Sequence, residues 1–98
     1  MKYRVEIQRP ARIDAGKVYL YLWEQSPQAA ERWLDGFHRA AASLHLMPAR
    51  CGHAPEGVDF PGGIRQLLYG QYRILFTISG RTVRIVHVQH SAQAPLET

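Results

Sequence analysis

Apolar and polar residues alternate at the beginning of the chain. Within residues 2–8, Tyr3, Val5 and Ile7 alternate with charged or polar side chains, which is the two-residue period of a strand with one buried face. Pro10 follows and has no backbone N–H to donate to a sheet, so the strand should end before it. The chain is therefore predicted to begin with a short strand.

Two helices are predicted next, over residues 14–25 and from Pro27 to about Leu46. Ser26 is a favourable N-cap and Pro27 suits the first position of a helix, so one helix ends and the next begins there. Such a short connection requires the two helices to fold back as an antiparallel hairpin. The apolar residues at helical spacing are Ala15, Val18, Tyr19 and Leu22 in the first helix and Ala30, Trp33, Leu34, Phe37, Ala41 and Leu44 in the second.

A loop rich in glycine and proline follows the second helix and runs to Gly63. Three strands are then predicted, because apolar segments are separated by short connections that contain glycine. The order β-α-α-β-β-β predicts one α+β domain over residues 1–98, with a twisted antiparallel sheet and an N-terminal helical hairpin packed on one face. The three strands cover residues 64–69, 72–78 and 82–90.

The last two predicted strands divide into an apolar face and a mixed face. A two-residue turn between them fixes the register, so alternate residues share a face of the sheet. The apolar set, predicted to lie under the helices, is Tyr72, Ile74, Phe76, Ile78, Val83, Ile85 and His87. The mixed set, predicted to face away from them, is Arg73, Leu75, Thr77, Arg84, Val86, Val88 and His90.

The composition excludes several classes of protein. The chain has 98 residues, of which 46% are hydrophobic and 20% are charged, which is typical of a folded domain and not of a disordered one. No apolar stretch approaches the roughly 18 residues of a membrane span, and the charged start is unlike a signal peptide. Cys51 is a single cysteine without a disulfide partner, and no metal-ligand spacing is present. We expect a cytoplasmic protein with no membrane partner, cofactor or metal.

The charge distribution favours an acidic or polyanionic partner. The net charge is +4, and residues 60–98 carry four arginines against one acid, Glu97. Arginine presents a planar fork of donors that matches carboxylate and phosphate oxygens, whereas lysine offers a point charge. Charge alone does not separate a nucleic acid from an acidic protein, since both are attracted to a basic surface.

The chain, with its strand, its helical hairpin broken at Ser26-Pro27, its Pro-containing loop and its three final strands, resembles the RelE/ParE superfamily, the toxins of bacterial type II toxin–antitoxin pairs. The resemblance rests on Gly-Ile-Arg-Gln-Leu at 63–67, Gln-Tyr-Arg-Ile-Leu-Phe at 71–76 and Val-Arg-Ile-Val-His-Val-Gln-His at 83–90, and extends from about Tyr3 to Leu96. It implies a twisted antiparallel sheet with two N-terminal helices on one side. It also implies a cognate antitoxin, whose C-terminal segment wraps the toxin in a heterodimer or heterotetramer.

The resemblance implies two alternative targets. RelE-like members cleave mRNA in the ribosomal A site, and in such a mechanism Glu56 would be the general base, Arg73 would hold the phosphate and His90 would be the general acid. ParE-like members poison DNA gyrase and need no nuclease site. Arg65, Arg73 and Arg84 are candidate binding residues in either case. Arg73 has a third interpretation, as a structural cation paired with a glutamate or with the C-terminus of a helix.

Details of the loop favour the ParE-like branch. The segment from Pro48 to Glu56 contains no lysine, whereas the most efficient RelE-like members use lysines there, and no tyrosine follows His90. We therefore expect a toxin that arrests growth by poisoning DNA gyrase. The alternatives are a ribosome-dependent mRNA endonuclease and a degenerate, non-toxic member that acts only as an interaction module.

Overall fold

The computed structural model describes residues 2–92, so Glu97 and the rest of the tail lie outside the described part. The predicted order of elements is present, with three short 3-10 turns between the second helix and the second strand. The bounds are β1 Arg4–Ile7, α1 Arg9–Gln25, α2 Pro27–Ala42, β2 Arg65–Tyr69, β3 Tyr72–Ser79 and β4 Thr82–His90, with the turns at Ser43–His45, Pro48–Arg50 and Pro55–Gly57.

The four strands form one mixed sheet in the order β1-β4-β3-β2. Strands β2, β3 and β4 form the predicted antiparallel meander. The prediction of a wholly antiparallel sheet is wrong for β1, which pairs with β4 in parallel, from Arg4 opposite Thr82 to Ile7 opposite Ile85. Parallel neighbours need a long crossover connection, and here the helical hairpin is part of that connection. As a result β4 is an inner strand with neighbours on both sides.

The two helices begin at proline-containing first turns. Helix α1 starts at Arg9, five residues earlier than predicted, because Pro10 occupies its first turn, where a missing N–H costs no hydrogen bond. Helix α2 is capped as predicted: the Ala29 amide donates to Ser26 Oγ at 3.2 Å. Neither helix, nor any other helix within residues 2–92, is long and apolar enough to cross a membrane.

The core lies between the helical hairpin and one face of the sheet. Helix α1 contributes the small residues Ala11 and Ala15, which allow it to pack closely on β4. Of the apolar face predicted for α1, Val18, Tyr19 and Leu22 are only half-buried. The larger core side chains come from α2, its following turn and the sheet, and they are Phe37, Leu44, Ile74, Phe76, Val83 and Ile85.

A β-bulge in β4 changes the face on which its last residues lie. Phe76 is opposite Ile85, and Ile74 is opposite Val88, so β4 contains one extra residue at Val86. The predicted faces hold as far as Ile85 and fail for Val88 and His90 beyond the bulge. Val88 and His90, predicted to face away from the helices, lie with Ile74 and Tyr72 on the side that the helices cover. Gln89 takes the place opposite Arg73 instead.

Asp14 of α1 stabilises this irregular strand. Its Oδ2 accepts a hydrogen bond from the backbone N–H of Val88 at 2.9 Å and lies 2.9 Å from His87 Nδ1. The bulge interrupts the regular ladder, and a carboxylate from the neighbouring helix satisfies the amide next to it. The contact joins residues 74 positions apart. The irregular end of β4 is thus fastened to α1 by a contact between residues far apart in the sequence.

Candidate functional site

A buried ion pair lies on the outer face of the sheet, the face turned away from the helices. Arg73 of β3 donates from Nη1 to Glu56 Oε1 at 3.0 Å and from Nη2 to Glu56 Oε2 at 2.6 Å. The two side chains form a bidentate pair, the strongest geometry for arginine and a carboxylate. Glu56 is 5% exposed and Arg73 is 8% exposed. The candidate base and the candidate phosphate-binding cation thus bind each other.

Two glutamines complete the cluster around Arg73. Nη1 also donates to Gln66 Oε1 at 2.9 Å, and Nη2 also donates to Gln89 Oε1 at 3.1 Å. All four N–H groups of the terminal nitrogens therefore have acceptors. The hydrogen bonds to Glu56 raise the pKa of the Arg73 guanidinium, which therefore stays charged. We call Glu56, Gln66, Arg73 and Gln89 the outer-face cluster.

The loop before β2 covers this cluster and is attached to the sheet beside it. The Ala54 amide donates to Ile64 O at 2.7 Å, and the Gln66 amide donates to Gly52 O at 3.0 Å. Ala54 and Ile64 also form a small apolar cluster with Leu75, on which Val86 packs. Charges in such surroundings are poorly solvated, so each partner of the ion pair depends on the other.

The other two candidate binding arginines have different surroundings. Arg65 donates from Nη1 to Cys51 O at 2.5 Å and to Ala49 O at 3.2 Å, so it holds the backbone of the loop. Arg84 is exposed, and its Nε lies 3.6 Å from Glu6 Oε1 across the β1–β4 pair. An exposed pair of this kind contributes little to stability. Of the three arginines, Arg84 is exposed, Arg65 is half-buried and Arg73 is buried.

His90 is separated from the other two candidate catalytic residues. Its ring packs edge-on against Tyr72 with centroids 5.1 Å apart, on the side of the sheet that the helices cover. Its Nε2 lies 3.2 Å from Gln71 Oε1, and its Nδ1 accepts the Ala92 amide at 3.0 Å. The structure brings Glu56 and Arg73 together, but the sheet separates them from His90.

A groove runs between α1 and the end of the sheet near His90. It consists of two adjoining cavities of 420 and 580 Å³, and Tyr21, Tyr72 and His90 line both. Trp33 and Tyr69 lie on its floor, where the Tyr69 hydroxyl donates to Trp33 O at 2.9 Å. Burial raises the pKa of both Tyr69 and Tyr72, so their hydroxyls remain protonated at neutral pH. We call this the α1 groove.

Exposed apolar side chains lie along the C-terminal half of α1, and one of them, Tyr21, lines the groove. Leu20 is 63% exposed, Tyr21 is 61% exposed and Trp23 is 46% exposed. Neighbouring exposed apolar residues on a helix are typical of a protein-binding surface. The sequence contained a signal for this, because α1 has apolar residues around most of its circumference and only part of them can face the core. Gln66 and Gln89 had no such signal, since polar residues on strands are usually solvated.

Among residues 2–92, no group of three or more histidine, cysteine, aspartate or glutamate side chains is placed to hold a metal ion. Cys51 is buried, and its carbonyl oxygen accepts from Arg65. The described residues therefore offer hydrogen bonds, charge and apolar surface, arranged as a closed polar cluster on one face and an open groove on the other.

Comparison with known proteins identifies the fold class and then the family. The arrangement of two helices on a four-stranded mixed sheet is that of RelE/ParE toxins. The sequence profile of the "ParE toxin of type II toxin-antitoxin system, parDE" matches residues 5–95. The chain therefore belongs to the ParE toxin family. No curated protein matches it.

Two solved structures are similar over almost the whole chain. A structure of the chromosomal ParDE toxin–antitoxin system from P. aeruginosa matches with a TM-score of 0.73 and 17% identity, covering 91% of this chain and 96% of that one. The toxin–antitoxin complex RelBE2 from Mycobacterium tuberculosis matches with a TM-score of 0.68 and 27% identity, covering 95% of each chain. The first match is evidence for the fold alone.

Proposed function

We propose that this chain is a toxin that arrests bacterial growth by poisoning DNA gyrase and that a cognate antitoxin neutralises it. Membership of the ParE toxin family supports the first part. The arrangement of Glu56, Arg73 and His90 supports it further and is the observation that carries the proposal. Gyrase poisoning places the activity in the cytoplasm.

Cleavage of RNA by a 2′-hydroxyl requires a base, a cation and an acid around one phosphate. These groups must lie within hydrogen-bond reach of the reacting atoms. In this chain Glu56 and Arg73 are buried against each other, and His90 is on the other side of the sheet. This arrangement favours a toxin that acts by binding its target over one that hydrolyses RNA.

The α1 groove is the surface that we assign to the antitoxin. It combines exposed apolar residues with polar groups, as expected for a site that an extended or helical segment covers. A disordered antitoxin segment that folds on binding can cover a large surface of this kind. The relative at 27% identity is part of a toxin–antitoxin complex, which supports such a partner. We expect the two chains to form a heterodimer or heterotetramer.

A ribosome-dependent mRNA endonuclease is the second candidate function. It is favoured by one observation, the 27% identity to a chain of the RelBE2 complex over 95% of the length. In that case the outer-face cluster would have to rearrange on the ribosome, so that Glu56 and Arg73 separate. A non-toxic interaction module is the remaining alternative.

A short pulse of expression in bacteria distinguishes these functions. Incorporation of labelled thymidine, uridine and methionine is followed together, because gyrase poisoning blocks DNA synthesis before translation. We expect thymidine incorporation to fall first while methionine incorporation continues. An initial fall in methionine incorporation would support mRNA cleavage instead. Unchanged incorporation of all three labels would indicate a non-toxic chain.

A further inference from the structure

A histidine held by an aspartate lies in the α1 groove, where α1 meets the end of β4. Asp14 Oδ2 accepts the Val88 amide at 2.9 Å and lies 2.9 Å from His87 Nδ1. Because a carboxylate accepts hydrogen bonds, Nδ1 is the nitrogen of His87 that carries the proton in this contact. The other nitrogen, Nε2, has no hydrogen-bond partner within residues 2–92. Asp14 thus fixes the ring and leaves Nε2 for another molecule.

Lys17 lines the same 420 Å³ cavity as His87. It lies one turn after Asp14 on α1, is exposed, and has no ion-pair partner within residues 2–92. The His87 side chain is 41% exposed, so one edge of the ring remains accessible beside this ammonium group. The other titratable groups that face the cavity are Tyr21 of α1, Tyr72 of β3 and His90 of β4.

The polar groups of this cavity match an acidic ligand. Asp14 is the one acid among the described residues that line it, and its Oδ2 already accepts two hydrogen bonds. His90 is also engaged, since Nε2 lies 3.2 Å from Gln71 Oε1 and Nδ1 accepts the Ala92 amide. An ammonium group and an imidazole edge therefore remain to be satisfied. A carboxylate satisfies both, because its two oxygens accept hydrogen bonds and carry the opposite charge.

We propose that Lys17 and His87 form a carboxylate-binding site, which an acidic side chain of the antitoxin occupies in the complex. The inference rests on the assignment of the α1 groove to the antitoxin. A carboxylate at Nε2 accepts a hydrogen bond only when that nitrogen carries a proton, and Asp14 already holds the proton on Nδ1. His87 in the complex is therefore an imidazolium between two carboxylates. Binding of the antitoxin is thus linked to the uptake of one proton.

This linkage fixes the direction of the pH dependence. Histidine is the side chain whose charge normally changes between about pH 5 and pH 8. The complex favours the protonated ring of His87, so protonation favours the complex in return, and the affinity falls as the pH rises. We expect the dissociation constant to be about tenfold lower at pH 6 than at pH 8. A neutral His87 that accepted a hydrogen bond from the antitoxin would give the opposite direction.

Titration of the purified antitoxin against the toxin at pH 6, 7 and 8 and constant ionic strength tests the site. The variant is His87→Asn, because the asparagine amide can still donate to Asp14 but places no group at Nε2. We expect this variant to bind with about the affinity of the parent at pH 8 and to lose the gain at pH 6. The matched control is His38→Asn, which removes an exposed histidine of α2 outside the groove and should keep the gain.

Two further substitutions identify the other members of the site. Lys17→Met should weaken binding by about threefold to tenfold at every pH, whereas Lys2→Met, at an exposed position outside the groove, should not. In the antitoxin, each aspartate or glutamate is replaced by asparagine or glutamine in turn. We expect one of these replacements to remove the pH response of the parent chain and to have no further effect on His87→Asn.

The proposal is overturned if the affinity of the parent chain is constant or decreases from pH 8 to pH 6, or if His87→Asn keeps the response of the parent. It is also overturned if no acidic residue of the antitoxin affects that response. In these cases the antitoxin still binds, so the proposed function stands. Absence of binding at every pH would instead remove the antitoxin from the proposed function and this site with it. Pulse labelling reports on the gyrase target separately.

Discussion

The two faces of the sheet both carry polar side chains near the ends of their strands, but these side chains have opposite environments. On the outer face, Glu56 and Arg73 are almost fully buried and satisfy each other. On the helix-covered face, His90 borders an open groove beside the exposed Tyr21 of α1. A buried, mutually satisfied pair fastens a loop, whereas an open groove with apolar walls remains available to a partner. Polar residues thus fasten the fold on one face and border an open groove on the other.

The difference follows from what covers each face. The loop before β2 closes over Arg73, with Ala54 and Ile64 packed beside it on Leu75. Helix α1 covers the opposite face only partly, because its buried contacts are made by Ala11 and Ala15. The C-terminal half of α1 therefore leaves space above the end of β4. The side chains of the outer-face cluster are therefore shielded from water, whereas those of the α1 groove are partly solvated. Substitutions in the cluster should mainly lower stability, and substitutions in the groove should mainly weaken binding.

The largest expected effect is the loss of stability in Arg73→Met. The substitution leaves the Glu56 carboxylate buried without its cation, which costs about 3–5 kcal/mol of the free energy of unfolding. Urea denaturation measures this loss. Arg84→Met removes an exposed arginine from the adjacent strand and should change the stability by less than about 0.5 kcal/mol. Similar losses in the two variants would contradict a structural role for the outer-face cluster.

The next effect concerns binding at the α1 groove. Tyr21→Ser removes a large side chain that is 61% exposed and lines both cavities of the groove, so we expect binding of the antitoxin to weaken by about tenfold or more. Titration of the purified antitoxin against the toxin measures the dissociation constant. Val58→Ser changes a side chain that is 82% exposed on the outer-face loop and should leave binding unchanged. A larger effect of Val58→Ser would move the binding surface to the loop.

The packing of α2 against β2 is tested at Gly36, and Gly16 of α1 serves as the control. A Cβ at Gly36 would lie 2.0 Å from the Tyr69 hydroxyl oxygen, so Gly36→Ala should lower the free energy of unfolding by about 1–3 kcal/mol. At Gly16 no atom lies within 4 Å of an added Cβ. Gly16→Ala should therefore stabilise the chain by about 0.5–1 kcal/mol, because alanine favours a helix. Thermal denaturation measures the change in stability of both variants. A change in the same direction for the two variants would contradict this prediction.

The smallest effect is local to the bulge of β4. Asp14→Ala removes the acceptor of the Val88 amide, which should cost about 1–2 kcal/mol. Hydrogen exchange at that amide should become faster, while exchange at the Ile74 amide of β3 serves as the internal reference. Unchanged exchange at Val88 would show that the bulge does not depend on α1.

The sequence was sufficient for the features that depend on local patterns. The helical hairpin, the cap at Ser26 and the three-stranded meander follow from periodicity and turn residues, and the structure has all of them. The bulge has no signal in the local pattern, and the side chain that contacts it, Asp14, lies more than seventy positions away in the sequence. One extra residue in β4 reverses the side of Val88 and His90. The parallel pairing of β1 with β4 likewise joins residues far apart in the sequence, so local patterns do not indicate it.

The candidate site was predictable in its residues more than in its arrangement. Arg73 was identifiable as a cation on a central strand that needs a partner, and pairing with a glutamate or a helix C-terminus was one of its interpretations. The sequence places Glu56 in a loop between Pro55 and Gly57 but does not determine the direction of its side chain. His90 was assigned to the same face as Arg73, because the prediction assumed a regular alternation of side chains along β4. The bulge interrupts that alternation.

The central claim is that the chain acts on gyrase and carries no assembled nuclease site. The most direct measurement adds the purified chain to two reactions: supercoiling of plasmid DNA by DNA gyrase, and translation of a defined mRNA by ribosomes. The account predicts that supercoiling is inhibited and that the mRNA remains intact. Cleaved mRNA together with unaffected supercoiling would contradict it.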